Sequence, residues 1–502
     1  MDSSLAAAPT PPARRSAWAL ALLGAALVGY AAFLAFHVGA HAGQSDSSGY
    51  LNSARLLAHG QTAVAPRIPA GIDPAALDSY TFIPLGFRPA SAVAMAPTYP
   101  IGLPLALAAL GPLMTWALAP HFLMVASALA AAVLMFPLGR AAGLPRSWSV
   151  FGSLLFAASP LTTFMSLQLM SDVPATAAAS AAILCAWRSR THRAWGPVAG
   201  VVFSAAVLIR PNNLILLAPL ALCLGLDSRR WLGFILGGLP GAAGQMAYNH
   251  AAYGHAFASG YGGDLASKFT LGIVPVTLAH YARWLPVLLT PVGLAAIALP
   301  WIGRRQPFAW VLTTWIAVTF AFYAAYWHTH ETWWYLRFLL PAFPAAFVGG
   351  LWIVHHFWSR LNLPRLRPLV TRSLALAATL VVLGRSVVWH QRLNATHIGH
   401  GESVYPEACQ WAKTHLPPDA LVVTQQTSGA FFYYTDFPLV RWDTLKPERF
   451  ARLAAALGPR PLFAVLFPHE VPDALKLNTT GIWTQVGAVR HVTIWRWAPT
   501  AP

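Results

Sequence analysis

HFLMVASALAAAVLMFPLGRAAGLPR, residues 121–146, is the stretch from which the rest of the chain can be read. From His121 to Gly139 no acidic residue, lysine or arginine interrupts the apolar run. At about 1.5 Å of rise per residue it is long enough to cross a bilayer's hydrocarbon as a helix. Arg140 and Arg146 follow at once, the mark of a cytoplasmic loop. The same unit recurs on both sides. Apolar stretches lie at 16–38, 148–167, 173–187, 195–209, 213–226, 231–250, 284–302, 308–327, 336–357 and 374–389. Alternate loops between them hold Arg188, Arg190 and Arg193; Arg229 and Arg230; Arg304 and Arg305; and Arg360, Arg365, Arg367 and Arg372. Charged residues make up 10% of the 502-residue chain and apolar residues 56%, whereas a soluble domain carries about 25% charged residues. The pattern predicts an all-α polytopic membrane bundle of about eleven transmembrane helices.

Sidedness follows from the arginines. Arg14 and Arg15 precede the first stretch and place the N-terminus in the cytoplasm. Ala40-His41-Ala42 fits a signal-peptidase site, but the run before it exceeds the roughly 7–15 residues of a signal core, which favours an uncleaved anchor. One further apolar stretch, 101–119, would reverse every later loop if it crossed the membrane. Pro100, Pro104 and Pro112 make it a poor straight span. It is expected as a helix on or dipping into the outer surface, within a long outer loop, 39–120. The bundle then occupies 1–390, and residues 391–502 form a small non-cytoplasmic α/β domain with helices at 407–415 and 448–457 and strands at 421–424, 462–466 and 492–497. The formal charge of +17 sits mostly in the inner loops, so it marks a lipid bilayer and not nucleic acid as the partner. Cys185 and Cys223 fall in apolar runs and Cys409 in the tail, which gives no disulfide framework.

Acids are scarce, and two of them stand at the outer ends of helices. Asp46 precedes a 47–59 segment in which Tyr50, Leu51, Ala54, Leu57 and Ala58 share a face and Gly60 suits the terminal cap. Such a helix is expected in the membrane interface. Asp46 reads as its N-cap or as a general base for an acceptor hydroxyl. Asp172 reads as an N-cap, with Pro174 tolerated in the first turn, or as a group that orients a polar acceptor. Arg210, in Arg210-Pro211-Asn212-Asn213, either snorkels to the interface or meets a lipid phosphate. In His328-Thr329-His330-Glu331-Thr332-Trp333-Trp334-Tyr335-Leu336-Arg337 the aromatics suit an interfacial belt. His328, His330 and Glu331 could take a divalent metal such as zinc, although the spacing matches no standard motif. Arg337 is a second phosphate candidate. Tyr99-Pro100-Ile101-Gly102 opens the 101–119 helix, with Arg88 before it as a loop charge or substrate contact. His469-Glu470 reads as a solvated loop pair, with metal binding as the less fitting alternative.

In this order the segments resemble the GT-C superfamily of membrane glycosyltransferases. The branch they are most similar to is that of the protein mannosyltransferases, aminoarabinose transferases and rhizobial lipopolysaccharide glycosyltransferases. The marks are Asp46 with Tyr50, Tyr99-Pro100-Ile101-Gly102, Ser159-Pro160 with Asp172-Val173-Pro174, and Arg337-Phe338-Leu339-Leu340-Pro341. Family members often carry a second acid where Ser47 stands here and a second proline where Ile101 stands. The resemblance implies transfer of a sugar, with inversion, from a polyprenyl-phosphate donor to an outer-face acceptor: lipopolysaccharide, an envelope glycan, a lipid or a protein. Asp46 would be the base, with Arg210 and Arg337 holding the leaving phosphate. Tyr50, Arg88, Tyr99, Asp172, Asn212 and Tyr335 would complete the substrate site. The resemblance implies no fixed cofactor. The competing class is a transporter or lipid flippase, which would place polar groups near the bilayer midplane. The span cores are nearly free of charge, with Arg385 the chief exception.

Overall fold

A computed structural model describes residues 13–360, 368–478 and 480–500. Arg365 and Arg367 of the last inner loop lie outside the described residues. Helical segments stand at each apolar stretch, from Ala13–His37 to Pro368–Arg392. Five of them are long and apolar enough to cross a membrane: Leu20–His37, Leu118–Ala141, Leu271–Leu288, Pro307–Ala324 and Trp333–Arg360. Arg146–Ala157 and Pro160–Ser166 make a sixth if their 61° bend is counted within one span. The chain is a multi-pass membrane protein.

Several expected spans are broken where proline removes a backbone donor. Pro160 sets the 61° bend. The segment expected at 284–302 instead begins as a helix at Val274–Leu288. It is interrupted at Thr290, whose φ is 60°, and continues as short pieces to Ile302. Pro286 and Pro291 flank the break. Elsewhere glycine brings helices together: a Cβ at Gly200 would fall on the Phe234 carbonyl, and one at Gly237 on the Pro197 carbonyl. Trp195–Ile209 and Ser228–Tyr253 therefore pack backbone to backbone, as small residues allow in lipid.

The 39–120 region folds against the bundle. β1 (Phe87–Pro89) pairs antiparallel with β2 (Met95–Pro97), Arg88 opposite Ala96. The 101–119 stretch contains one short helix, Gly102–Leu110. The amphipathic segment is a helix, Ser45–Ala58, but it does not lie on a surface: Ser47 through Ala54 are all buried. Its polar face is covered by the C-terminal region. There, β3 (Leu421–Val423), β4 (Leu439–Val440), β5 (Leu462–Leu466), β6 (Gly481–Val489) and β7 (Val492–Pro499) form a sheet in the order β4-β3-β5-β7-β6. The first three run parallel and the last two antiparallel. Glu470 is not a solvated loop acid: it is 1% exposed and accepts from Gln426 N, Trp442 Nε1 and Phe467 N.

The Ser428–Tyr434 helix docks on Ser45–Ala58. Asn52 donates to the Gly429 carbonyl at 3.0 Å and Arg55 to the Tyr433 carbonyl at 2.8 Å. Gly429 is required at the contact, since a Cβ would strike Ser48 Oγ. Below it, buried Glu402 accepts from Gln44 Nε2 at 3.0 Å, at the N-cap of the same helix. Burial, opposed by the Gln44 hydrogen bonds, raises the Glu402 carboxyl from 4.5 to about 7. The folded state thus keeps a proton that the unfolded chain releases. This contribution is complete below the ordinary value, falls as pH rises through the window up to about 7 and is lost above it. Glu402→Gln should remove the dependence. The melting temperature of the wild type relative to the variant, followed by scanning fluorimetry in detergent, should decline across that window, and a constant difference would refute the assignment.

Candidate active site

Four charged side chains from four segments meet where the helix ends converge. Asp46 lies in the first turn of Ser45–Ala58 and Asp172 in the first turn of Asp172–Arg188. Arg210 caps the C-terminus of Trp195–Ile209, and Arg337 stands in the 3-10 segment Trp333–Ala342. Asp46 Oδ2 accepts from Arg337 Nη2 at 2.9 Å. The other amino group of Arg337 is 3.8 Å from Asp172 Oδ2, and Asp172 Oδ1 is bonded to Arg210 Nη1. Neither acid makes an N-cap hydrogen bond: the cap positions are Gln44 and Ser171, without side-chain bonds. Nor does Arg210 snorkel, since its side chain is 13% exposed and its partner Asp172 2%. The Phe338 ring lies 5.3 Å from both guanidinium carbons and keeps them apart.

The network lines a cleft of about 380 Å³. Tyr50, Tyr99, Asn212 and Tyr335 line it too, so eight of the nine residues expected at the site from sequence gather there. Tyr50 donates to Ser171 Oγ at 3.1 Å, Tyr99 shares a hydrogen bond with Ser45 Oγ at 2.7 Å, and Asn212 donates to Tyr323 at 3.2 Å. Burial, with the Asp46 charge adding to it, holds the Tyr50 and Tyr99 hydroxyls above their ordinary range. Both remain donors at neutral pH.

Arg88 is the exception. It donates to the Ser259 carbonyl at 2.7 Å and lies over Tyr253, away from the cleft. The metal triad does not assemble either. His328 lines the cleft and pairs with Glu331 at 2.7 Å, but His330 packs on Trp327. Among the described residues no group of three or more His, Cys, Asp or Glu could hold a metal. Sequence reasoning missed Tyr261, Tyr326 and Lys268, which also face the cleft. Lys268 carried a usable signal, as the sole lysine before Lys413.

Comparison with solved structures gives the fold its relatives. ArnT from Cupriavidus metallidurans bound to undecaprenyl phosphate superposes with a TM-score of 0.59 at 14% identity, over 96% of this chain and 98% of that one. The same protein in the apo state gives 0.56 over the same shares, also at 14% identity. The chain has the GT-C fold. The R1389S arabinofuranosyltransferase AftD from Mycobacteria matches at 0.50 and 15% identity, over 95% of this chain but 41% of that one. No protein-family model matches the sequence, and no curated protein matches it.

The buried network makes a quantitative prediction. Arg210→Met leaves the buried Asp172 only the longer, 3.8 Å contact with Arg337, and should cost about 3 kcal/mol, the lower end for breaking a buried pair. Arg210→Met combined with Asp172→Leu should recover most of that loss. Thermal unfolding of the purified variants measures both, and additive losses would show that the two side chains do not act as a pair.

Proposed function

We infer that the protein is an integral membrane glycosyltransferase that uses a polyprenyl-phosphate sugar and transfers it, with inversion, to an acceptor on the outer face. The observation that carries this reading is the convergence of Asp46, Asp172, Arg210, Arg337 and Lys268 on one cleft in a bundle that shares its fold with a protein bound to undecaprenyl phosphate. In this reading the chain spans the inner membrane about eleven times, the N-terminus is cytoplasmic, and residues 391–502 form an outer domain.

Asp46 is the base. It takes the proton of an acceptor hydroxyl as the oxygen attacks the anomeric carbon; the bond from that carbon to the phosphate oxygen breaks, and polyprenyl phosphate leaves as the anion. In the resting arrangement Asp46 Oδ2 is occupied by the Arg337 hydrogen bond, and an oxygen so engaged is not free to take the acceptor's proton. Phosphate that accepts from Arg337 competes with Asp46 for that cation and frees the carboxylate. Donor binding therefore prepares the base, which argues for donor before acceptor. The two arginines and two aspartates cancel in charge, so the net attraction for phosphate comes from Lys268, exposed at the rim. Fixed cations in a partly dry cleft stabilise the charge that develops on the leaving phosphate.

The test is release of polyprenyl phosphate by protein in nanodiscs, offered a panel of polyprenyl-phosphate sugars with an envelope extract. Asp46→Asn should lower turnover by about 10²–10⁴-fold, the usual yield of a positioned base. Turnover in that variant equal to wild type would remove Asp46 from the role. Lys268→Gln, which leaves the buried network intact, should raise the donor KM with little change in kcat. An unchanged KM would separate Lys268 from the phosphate.

A further inference from the structure

Beside the charged cleft lies a second cavity of about 180 Å³. Tyr99, Pro100, Pro211, Ser259 and Tyr261 face both and form the partition between them. The far wall comes from the Ser228–Tyr253 helix, through Gln245, Tyr248 and Asn249. The two lobes differ in kind. The cleft holds acids and cations, whereas none of the residues lining the second cavity is charged.

Those polar residues need an explanation. Ser228–Tyr253 is 26 residues long, long enough to span, yet it is not among the helices apolar enough to do so, because its last third carries Gln245, Tyr248, Asn249 and His250. Leu232, Ile235, Leu236 and Leu239 of the same helix are exposed as a lipid-facing surface would be. Gln245 donates to Asn249 Oδ1 at 2.6 Å, and Asn249 donates to the Ala256 carbonyl at 3.0 Å. A side-chain amide has two N–H donors and an acceptor oxygen, so the pair holds more hydrogen-bonding capacity than these two bonds use. The Tyr248 hydroxyl is buried beside those of Ser53 and Tyr253, in a residue only 7% exposed. Tyr248, Tyr253, Tyr99 and Tyr261 supply ring faces: Tyr248 and Tyr253 pack edge to face at 6.0 Å, as do Tyr99 and Tyr261 at 6.1 Å. Arg88, idle in the cleft, holds this partition, bonding the Ser259 carbonyl and lying over Tyr253.

We propose that the second cavity is an acceptor subsite for a neutral, polyhydroxylated sugar ring. The proposal rests on the glycosyltransferase reading above and names its acceptor class. Planar amides match neighbouring hydroxyls, and tyrosine faces accept the C–H face of a ring while their hydroxyls stay polar. A phosphate would find no cation among the lining residues, since Arg88 behind the wall is held by the Ser259 and Gly260 carbonyls. The subsite also leads to the base: Tyr99 forms its shared wall and is hydrogen-bonded to Ser45, the residue before Asp46. A hydroxyl emerging past Tyr99 from a ring held by Gln245 and Asn249 arrives beside the carboxylate.

The experiment uses the full chain in nanodiscs and a photoreactive octyl β-glucoside, with cross-links mapped by peptide mass spectrometry. Photoreactive octyl phosphate is the anionic control. The glucoside should label residues 245–261, octyl phosphate should not, and saturating undecaprenyl phosphate should not displace the label. Gln245→Leu and the loop variant Tyr261→Ala should each weaken labelling about tenfold, the loss of one or two neutral contacts. Labelling equal in both variants and wild type, displacement by undecaprenyl phosphate, labelling by octyl phosphate, or no labelling of 245–261 would each overturn the proposal. Asp46→Asn keeps the subsite, so it should bind the probe normally. Failure of the glycosyltransferase reading would appear separately, as absence of Asp46-dependent polyprenyl phosphate release.

Discussion

Two aspartates and two arginines buried together are tolerable only as a set. A charge removed from water costs several kcal/mol even after relaxation, and these four side chains stand between 2% and 22% exposed. Each therefore requires its neighbour. Asp46, Asp172, Arg210 and Arg337 come from four segments spread across almost the whole bundle, so their pairing fixes the mutual position of four helix ends. Pairing of this kind adds little to stability compared with an apolar core of the same volume. What it supplies is a defined arrangement of opposite charges at a cleft.

The helix that carries Asp46 could not hold that arrangement alone. Ser47, Ser48, Asn52 and Ser53 make one of its faces polar and buried, which demands partners from elsewhere in the chain. The C-terminal region provides one for Asn52 at Gly429 and also takes the flanking Arg55 at Tyr433 and Gln44 at Glu402, while Ser47 and Ser48 bond back to the Gln44 carbonyl. The sheet-bearing region is thereby joined to the helix that carries Asp46 by hydrogen bonds. A displacement of Ser428–Tyr434 would be transmitted to the first turn of Ser45–Ala58, where the carboxylate sits.

This buttress marks the limit of what the sequence displays. Apolar runs and arginine loops report burial in lipid directly, so the membrane bundle and most of the cleft residues were legible. The Ser45–Ala58 helix was legible as a helix but not as a buried one. Its amphipathic pattern is the same whether the polar face meets water or Gly429 and Tyr433, nearly four hundred positions away. The break at Thr290 was hidden because Pro286 and Pro291 each fit a first helical turn as well as an interruption. Glu470 looked solvated since nothing local announces three donors arriving from Gln426, Trp442 and Phe467. Tyr261 lies in a loop without periodicity and meets the site through long-range contacts, its ring on Tyr99 and the neighbouring Ser259 and Gly260 carbonyls on Arg88.

The N-cap reading of the two acids does not hold. As N-caps, Asp46 and Asp172 would have spent their oxygens on backbone donors, and the structure gives those oxygens to arginine instead. Yet both remain in first helical turns, where the aligned peptide dipoles present about half a positive charge. Arg210 stands at a C-terminus, where the dipole is negative. The same arginine is the N-cap of the 3-10 segment Pro211–Leu216, so it is the two acids, and not the two arginines, whose charge the backbone opposes. Asp46 and Asp172 thus meet two sources of positive charge at once, the helix end and the guanidinium.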